Sequence, residues 1–318
     1  MRILLVKTSS LGDVIHNLPV VADIRNHFPD AQIDWVVEEN FATVPRLHPH
    51  VHRVLPVALR RWRRHLASGA AWQQWRAFRQ MMREQSYDFI IDTQGLLKSS
   101  IIVRGARGLR CGYDWKSARE PMASFAYQRK FNVAKNLHAV ERNRQLVAKA
   151  LGYEENAAPS YGLHATNSAP DKALQVPYVV FLHATSRADK EWPEQNWVAL
   201  GKWFASHNFS CVLPSGNPNE YQRAMRLANA VPNAAPLPHG SLEAVAAVIA
   251  NASAVIGVDT GLTHLACALD KPTVALYCNS DPGLTGVYGS ARAINIGSIG
   301  LPPSVDAVLQ AYAQVSAA

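Results

Sequence analysis

The 318 residues are 48% hydrophobic and 18% charged. That balance excludes a disordered chain, and the length predicts two domains rather than one core. The net charge of +8 lies wholly in the first half: residues 1–160 carry 24 Lys/Arg against 14 Asp/Glu (+10), and the remainder 8 against 10 (−2), so the first half is expected to meet an anionic partner.

The chain opens with a buried strand over residues 2–7, RILLVK, followed by the turn TSSLGD and a helical stretch VIHNLPVVADIRNHF. The ILLV run is too short for a signal peptide and no small-residue cleavage site follows, so a cytoplasmic protein is expected. IDWVVE, VHRVLPV and DFIID read as further strands of the first half. In the second half YVVFLHA, FSCVLPS, SAVIGV and PTVALY read as strands, separated by NWVALGKWFASH, EYQRAMRLANA, SLEAVAAVIANA and LTHLACAL with helical spacing. The longest apolar run, residues 244–258, is broken by Asn251 and Ser253 and reads as a helix followed by a strand, not a membrane span. Strands that alternate with helices and are nearly all apolar predict parallel sheets covered on both faces. The expected fold is therefore α/β, two doubly wound domains. A stretch rich in Ala, Pro, Ser and Asn places the boundaries: a first domain over 1–160, a linker over 161–176, a second domain over 177–300, and a C-terminal helix within 301–318 expected to pack back on the first domain. The four cysteines are scattered, with no CxxC pair, and read as buried free thiols.

Open parallel sheets bind ligands beyond the carboxyl ends of their strands, so the loops TSSLGD, TQGLLKS, HATSRADKEWP, PSGNPNE and VDTGLTH carry the chemistry. In VDTGLTH, Asp259, Thr260 and Gly261 stand where a helix begins; the first-turn N–H groups offer an anion site, and His264 lies one turn on. The plain alternative is a capped helix with an ordinary histidine. HATSRADKEWP brings two hydroxyls, Thr185 and Ser186, and one cation, Lys190, to a strand end, a set that suits a phosphate. Glu220 in PSGNPNE can accept from ribose hydroxyls or serve only as a first-turn acid, and Gly240 lies where a base can pack. Together these loops point to a nucleotide diphosphate site in the second half.

In the first half, ALRRWRRHL groups Arg60, Arg61, Arg63 and Arg64 around Trp62, and Arg119 lies in KSAREPMASFAYQRK. Arginines match carboxylates and phosphates bidentately, and a tryptophan among them suits a lipid headgroup boundary. The usual alternative, a solvated charged face, is weakened by the shortage of acids. No HExxH, clustered Cys/His spacing or GxxxxGK[ST] loop occurs, so metal and P-loop chemistry find no support.

VKTSSLGDVIHNLP, RRWRR, AREPMASFAY and VDTGLTHLACALDKPTVALY together resemble the bacterial lipopolysaccharide heptosyltransferase I family, over essentially the whole chain. The resemblance implies an inverting glycosyltransferase of GT-B type with two facing Rossmann-like domains. It would move L-glycero-D-manno-heptose from ADP-heptose to the inner Kdo (3-deoxy-octulosonic acid) of Kdo-lipid A, without metal or other cofactor. It implies attachment to the cytoplasmic face of the inner membrane. It gives Asp13 the role of general base, Lys190 a catalytic place beside the diphosphate with Thr185 and Ser186, and Glu220 the ribose contact. Gly240 would lie near the adenine, and Asp259, Thr260, Gly261 and His264 would form the donor loop. Arg60, Arg61, Arg63, Arg64 and Arg119 would face the acceptor. Apart from the resemblance, Asp92 in DFIIDTQG is the next candidate for the base if Asp13 is only a helix acid. Two rivals are another sugar-nucleotide transferase of this architecture, such as the heptosyltransferase II type, and a non-catalytic nucleic-acid-binding protein. The second lacks any recognisable nucleic-acid-binding signature, and nucleic acid is not an expected partner.

Overall fold

The computed structural model describes residues 1–64, 68–163 and 177–317. The chain divides into two compact units, Met1–Leu163 and His164–Ala318; residues 164–176, most of the expected linker, lie outside the described residues.

The first unit holds six strands: β1 (Arg2–Val6), β2 (Gln32–Glu38), β3 (Val51–Val57), β4 (Ser86–Asp92), β5 (Arg107–Tyr113) and β6 (Arg129–Phe131). They pair in parallel in the order β3-β2-β1-β4-β5-β6. The second unit holds β7 (Tyr178–Leu182), β8 (Ser210–Pro214), β9 (Ala234–Leu237), β10 (Ala254–Val258), β11 (Thr273–Tyr277) and β12 (Ala293–Gly297). Their order is β12-β11-β10-β7-β8-β9, again all parallel. Counted within its own unit, each sheet has the Rossmann order 3-2-1-4-5-6. The expected α/β class with two doubly wound Rossmann-like domains is what the structure shows.

The eight strands expected from apolar runs are all present; β5, β6, β9 and β12 are additional. β6, β9 and β12 are sheet edges and half-exposed, so they need no continuous apolar run. β5 carries two glycines and two arginines, which hides it. The single helix expected over 14–28 is two, Leu11–Ile15 and Leu18–His27, because the Pro19 ring clashes with the carbonyl four residues back. The C-terminal helix, Val305–Ala317, buries Val308, Ala311 and Val315 in the second unit's own core, where packing on the first domain was expected. All four cysteines are buried and free. Among the described residues no helix is long and apolar enough to cross a membrane.

Part of the first unit's basic excess is structural. Arg144, 2% exposed, donates to both oxygens of Asp23 at 2.8 and 3.1 Å and pairs with Glu155 at 2.7 Å, which ties the helix Ala139–Leu151 to Leu18–His27.

His183, just past β7, is fully buried, and neither ring nitrogen has a hydrogen-bond partner. Burial first, and then the nearby Arg223, push its pKa down to about 4, so the folded state holds it neutral. A folded pKa below the unfolded value of about 6.5 makes the unfolded chain the better proton acceptor between those values. Stability contributed at neutral pH is therefore expected to fall as pH drops from about 6.5 through about 4, by up to about 3 kcal/mol from this group. His183→Leu should flatten that limb of a Tm-against-pH curve; an unchanged slope would show that His183 does not set it.

Candidate active site

In each sheet the strand order reverses beside its first strand, between β1 and β4 and between β7 and β10. Helices leaving the two strands pass to opposite faces there, and the loops part to leave a crevice. The flagged loops TSSLGD and TQGLLKS follow β1 and β4. HATSRADKEWP and VDTGLTH follow β7 and β10.

The first crevice is built on buried polar groups. Asp92, 0% exposed, accepts the N–H groups of Gln94 (2.8 Å) and Gly95 (3.2 Å) on one oxygen and the Tyr127 hydroxyl (2.6 Å) on the other. Gln94 in turn accepts the N–H groups of Thr8 (2.9 Å) and Ser9 (3.1 Å), so the loop after β4 shapes the loop after β1. Lys7, also buried, donates to the Thr93 carbonyl (2.8 Å) and Asn143 (3.2 Å). Its burial lowers its pKa to about 8, while Asp13 and Asp92 pull the other way.

Asp13 lies in the first turn of the helix Leu11–Ile15, one turn closer to the strand than the sequence reading placed it. Its Oδ2 accepts from the Ser10 N–H (2.7 Å) and Ser10 Oγ (3.2 Å). The cap role is therefore real, and it occupies one oxygen. The other, Oδ1, faces Arg119 at 3.4 Å, and the side chain is 22% exposed. Asp13 keeps an accessible oxygen; Asp92, the reserve base, has both oxygens engaged and is sealed, which makes it a scaffold residue.

Lys98 was not singled out from the sequence, although its loop was. Its Nζ donates to Ser9 Oγ at 2.5 Å. Burial lowers its pKa, as does the charge of Arg60, while Glu38 and Asp13 raise it; the ammonium therefore stands within electrostatic reach of both Arg60 and Asp13. The structure also ranks the arginines. Arg61 is held bidentately by Glu39 at 3.1 and 3.0 Å and donates to Gln74. Arg60 lies over the Phe41 ring, its backbone N–H fixed by Glu38 at 3.0 Å. Arg63 and Arg64 are exposed.

In the second unit Asp259 is the hub. Its Oδ2 accepts Lys190 Nζ (2.6 Å) and Ser280 Oγ (2.7 Å), and His264 Nε2 stands 3.7 Å from Oδ1. Thr185 donates to the Asp259 carbonyl at 3.0 Å. Burial opposes the charge, but the contacts of His264, Lys190 and Ser280 and the Lys190 ammonium hold the carboxyl well below the usual range. Lys190 is thus not a lone surface cation: it is 19% exposed and paired. Thr260 is the N-cap of the helix Gly261–Ala268, with no side-chain capping bond; the Thr263 N–H returns to the Thr260 carbonyl at 3.1 Å, and no side chain caps the N–H groups before it, where an anion can bind. Gly257 sits under this turn, where a Cβ would meet Thr263 Oγ1 at 2.3 Å. Ser186 is exposed. Glu220 closes a cap, accepting from Gly216 N–H (2.7 Å) and Asn217 Nδ2 (2.6 Å). Gly240 is exposed, and a Cβ there would find only Ala244 at 3.9 Å. Ser280 was missed, although it follows β11 and the strand-end rule applies to that loop too. Among the described residues no group of three or more His, Cys, Asp or Glu is placed to hold a metal.

The profile of glycosyltransferase family 9 (heptosyltransferase) matches residues 75–310. Lipopolysaccharide heptosyltransferase 1 of Escherichia coli K12 is 47% identical over 298 residues, 92% of this chain and 93% of that protein. The E. coli heptosyltransferase WaaC solved with ADP superposes with a TM-score of 0.93 at 43% identity, covering 99% of this chain and 100% of that one. The same enzyme solved with ADP-2-deoxy-2-fluoro heptose gives 0.88 at 43% identity, with 98% of each chain covered. The chain belongs to glycosyltransferase family 9 and is a heptosyltransferase.

Proposed function

We propose that this heptosyltransferase acts in lipopolysaccharide inner-core synthesis. It takes L-glycero-D-manno-heptose from ADP-heptose and passes it, with inversion, to the inner Kdo of Kdo-lipid A, on the cytoplasmic face of the inner membrane. The observation that carries this reading is the contrast between the two switch points: a partly open carboxylate among cations in the first unit, and a lysine beside a helix N-terminus in the second. Relatives named for, or solved with, these donor-side ligands support it. Release of ADP that requires both ADP-heptose and Kdo-lipid A is the test.

On this reading the acceptor hydroxyl is a weak nucleophile until a base takes its proton as the new bond forms. Asp13 does this through Oδ1, while Oδ2 stays fixed by Ser10. Arg119 orients the carboxylate and, with Lys98 and Arg60, meets the acceptor's carboxylate and phosphate groups. In the second unit Lys190, held by Asp259, and the N–H groups at Thr260 and Gly261 stabilise the diphosphate as the sugar departs, in place of a metal. Thr185 and Ser186 flank the phosphates, His264 lines the same turn, Glu220 meets the ribose through its remaining acceptor capacity, and Gly240 leaves room for the base. Arg61, tied to Glu39, is the least suited of the acceptor set, and Arg63 and Arg64 meet the more peripheral anionic groups.

Asp13→Asn retains an acceptor for the Ser10 N–H but cannot take a proton. A near-native Tm, intact ADP-heptose binding and a kcat lower by about a hundred-fold or more are expected. Wild-type kcat at saturating substrates would leave Asp13 with its cap role alone.

Lys190→Met should lower kcat by about a hundred- to a thousand-fold. It also strips a buried carboxylate of its cation, so Tm should fall, whereas EDTA should leave the wild-type rate unchanged. Inhibition by EDTA that Mg²⁺ or Mn²⁺ reverses would end the metal-free reading.

A further inference from the structure

The first unit carries a groove of about 320 Å³ that the reaction as described does not use. Leu59, Trp62, Ala71, Trp72, Trp75 and Ile101 line it, with Arg63 at its margin. The volume lies at the lower end of the roughly 300–1,000 Å³ of small-molecule sites. The floor is preformed: Trp62 and Trp75 meet edge to face at 5.7 Å, and both pack on buried Phe78 at about 6 Å. The Trp62 indole N–H in the floor is already satisfied by Gln74 at 2.8 Å, so this side chain asks no hydrogen bond of a ligand. Its outer wall is costly to leave in water: Trp72 is 56% exposed and Ile101 58%.

Two features say what fits. The apolar lining has a cationic margin, with Arg63 in it and Arg60 and Arg64 on the same helix, Leu59–Arg64. The groove also leads to the reaction centre along one helix. Ile101 and Lys98 are three residues apart on Leu97–Gly105, hence neighbours on one face, and Lys98 is the cation bonded to Ser9 beside Asp13. An apolar slot about one helical turn from a cation-lined anion site matches an amphiphile with an anionic head and a hydrocarbon tail.

We propose that this groove binds one hydrocarbon chain of the anionic lipid acceptor, so that the tail anchors the molecule whose sugar is presented at Asp13. The proposal rests on the acceptor reading above and adds a second site to it. A concave, aromatic-floored slot receives a chain; a patch that dips into a bilayer presents its side chains outward.

The test separates the tail from the head. Dodecyl phosphate below its micellar concentration and butyl phosphate are titrated into the full-length protein by calorimetry. Dodecyl phosphate should bind at least tenfold more tightly. Trp72→Ala and Ile101→Gln alter exposed side chains and should preserve the fold. Each should weaken dodecyl phosphate about tenfold and leave butyl phosphate unchanged. In turnover, each should raise KM for acylated Kdo-lipid A about tenfold, with kcat, the KM for ADP-heptose and the KM for fully deacylated acceptor unchanged. Equal binding of the two phosphates to wild type, or equal effects of the variants on both acceptors, would overturn the proposal. So would variants that weaken binding to phosphatidylglycerol vesicles but not to dodecyl phosphate, because the face would then be a bilayer patch. If Kdo-lipid A is not turned over at all while the dodecyl phosphate results hold, the groove stands and the acceptor reading falls.

Discussion

The constraint on which the molecule depends is the reversal of strand order in each parallel sheet. At that one place the connections leave in opposite directions, and the strand ends lose the cover that helices give elsewhere. Backbone N–H and C=O groups exposed there must find partners. The protein supplies them with buried side chains rather than with more secondary structure. In the first unit Asp92 and Gln94 hold the two loops, and in the second the Asp259 carbonyl accepts Thr185. The loops of each crevice are thereby held by hydrogen bonds within the protein itself, as electrostatic groups that act without reorganising require.

The buried carboxylates also account for the charge pattern. The first unit has a large basic excess, but its arginines are not equivalent. Arg144 is consumed by Asp23 and Glu155, and Arg61 by Glu39. Glu38, buried, with its carboxyl pushed up by that burial, spends an oxygen on the Arg60 backbone N–H and so positions that side chain. Near Asp13 there is a short arc of cations: Arg119 faces it at 3.4 Å, and Lys98 stands within electrostatic reach of both Asp13 and Arg60. A compact arc of that kind suits a ligand that carries its charges close together, as a sugar acid beside a phosphate does.

Much of this was legible in the sequence. Apolar runs gave eight strands, the edge strand β3 among them; the inner strand β5 was hidden by its glycines and arginines, and β6, β9 and β12 are partly exposed edge strands without a long apolar run. The strand-end rule led to the loops that the structure places after β1, β4, β7 and β10, in which Asp13, Asp259 and Lys190 lie. It does not say which residues of different loops come together. Lys98 sits in TQGLLKS, but only the fold brings it to Ser9 across 89 positions. Ser280 reaches Asp259 from 21 positions away. Neither the Asp259–Lys190 pair nor the sealing of Asp92 has any local sequence signature, since both depend on what packs around them. The aromatic groove was half visible: Trp62 stood out among arginines, but Trp72, Trp75 and Ile101 join it only once three helices are packed, Leu59–Arg64, Gly69–Arg83 and Leu97–Gly105.

The Asp259–Lys190 pair explains how a unit with net charge −2 can be the one proposed to hold a nucleotide diphosphate. Asp259, kept ionised by its contacts with His264, Lys190 and Ser280, fixes the position of the lysine. The pair is neutral overall, so on the proposed reading a diphosphate meets dipoles first: hydroxyls and the N–H groups of a helix start. Such a site gains most when negative charge concentrates on the leaving oxygen, because the lysine can then shift part of its hydrogen bonding from Asp259 to the phosphate. Binding that grows as the bond breaks favours the transition state over the ground state, and only that difference accelerates the chemical step.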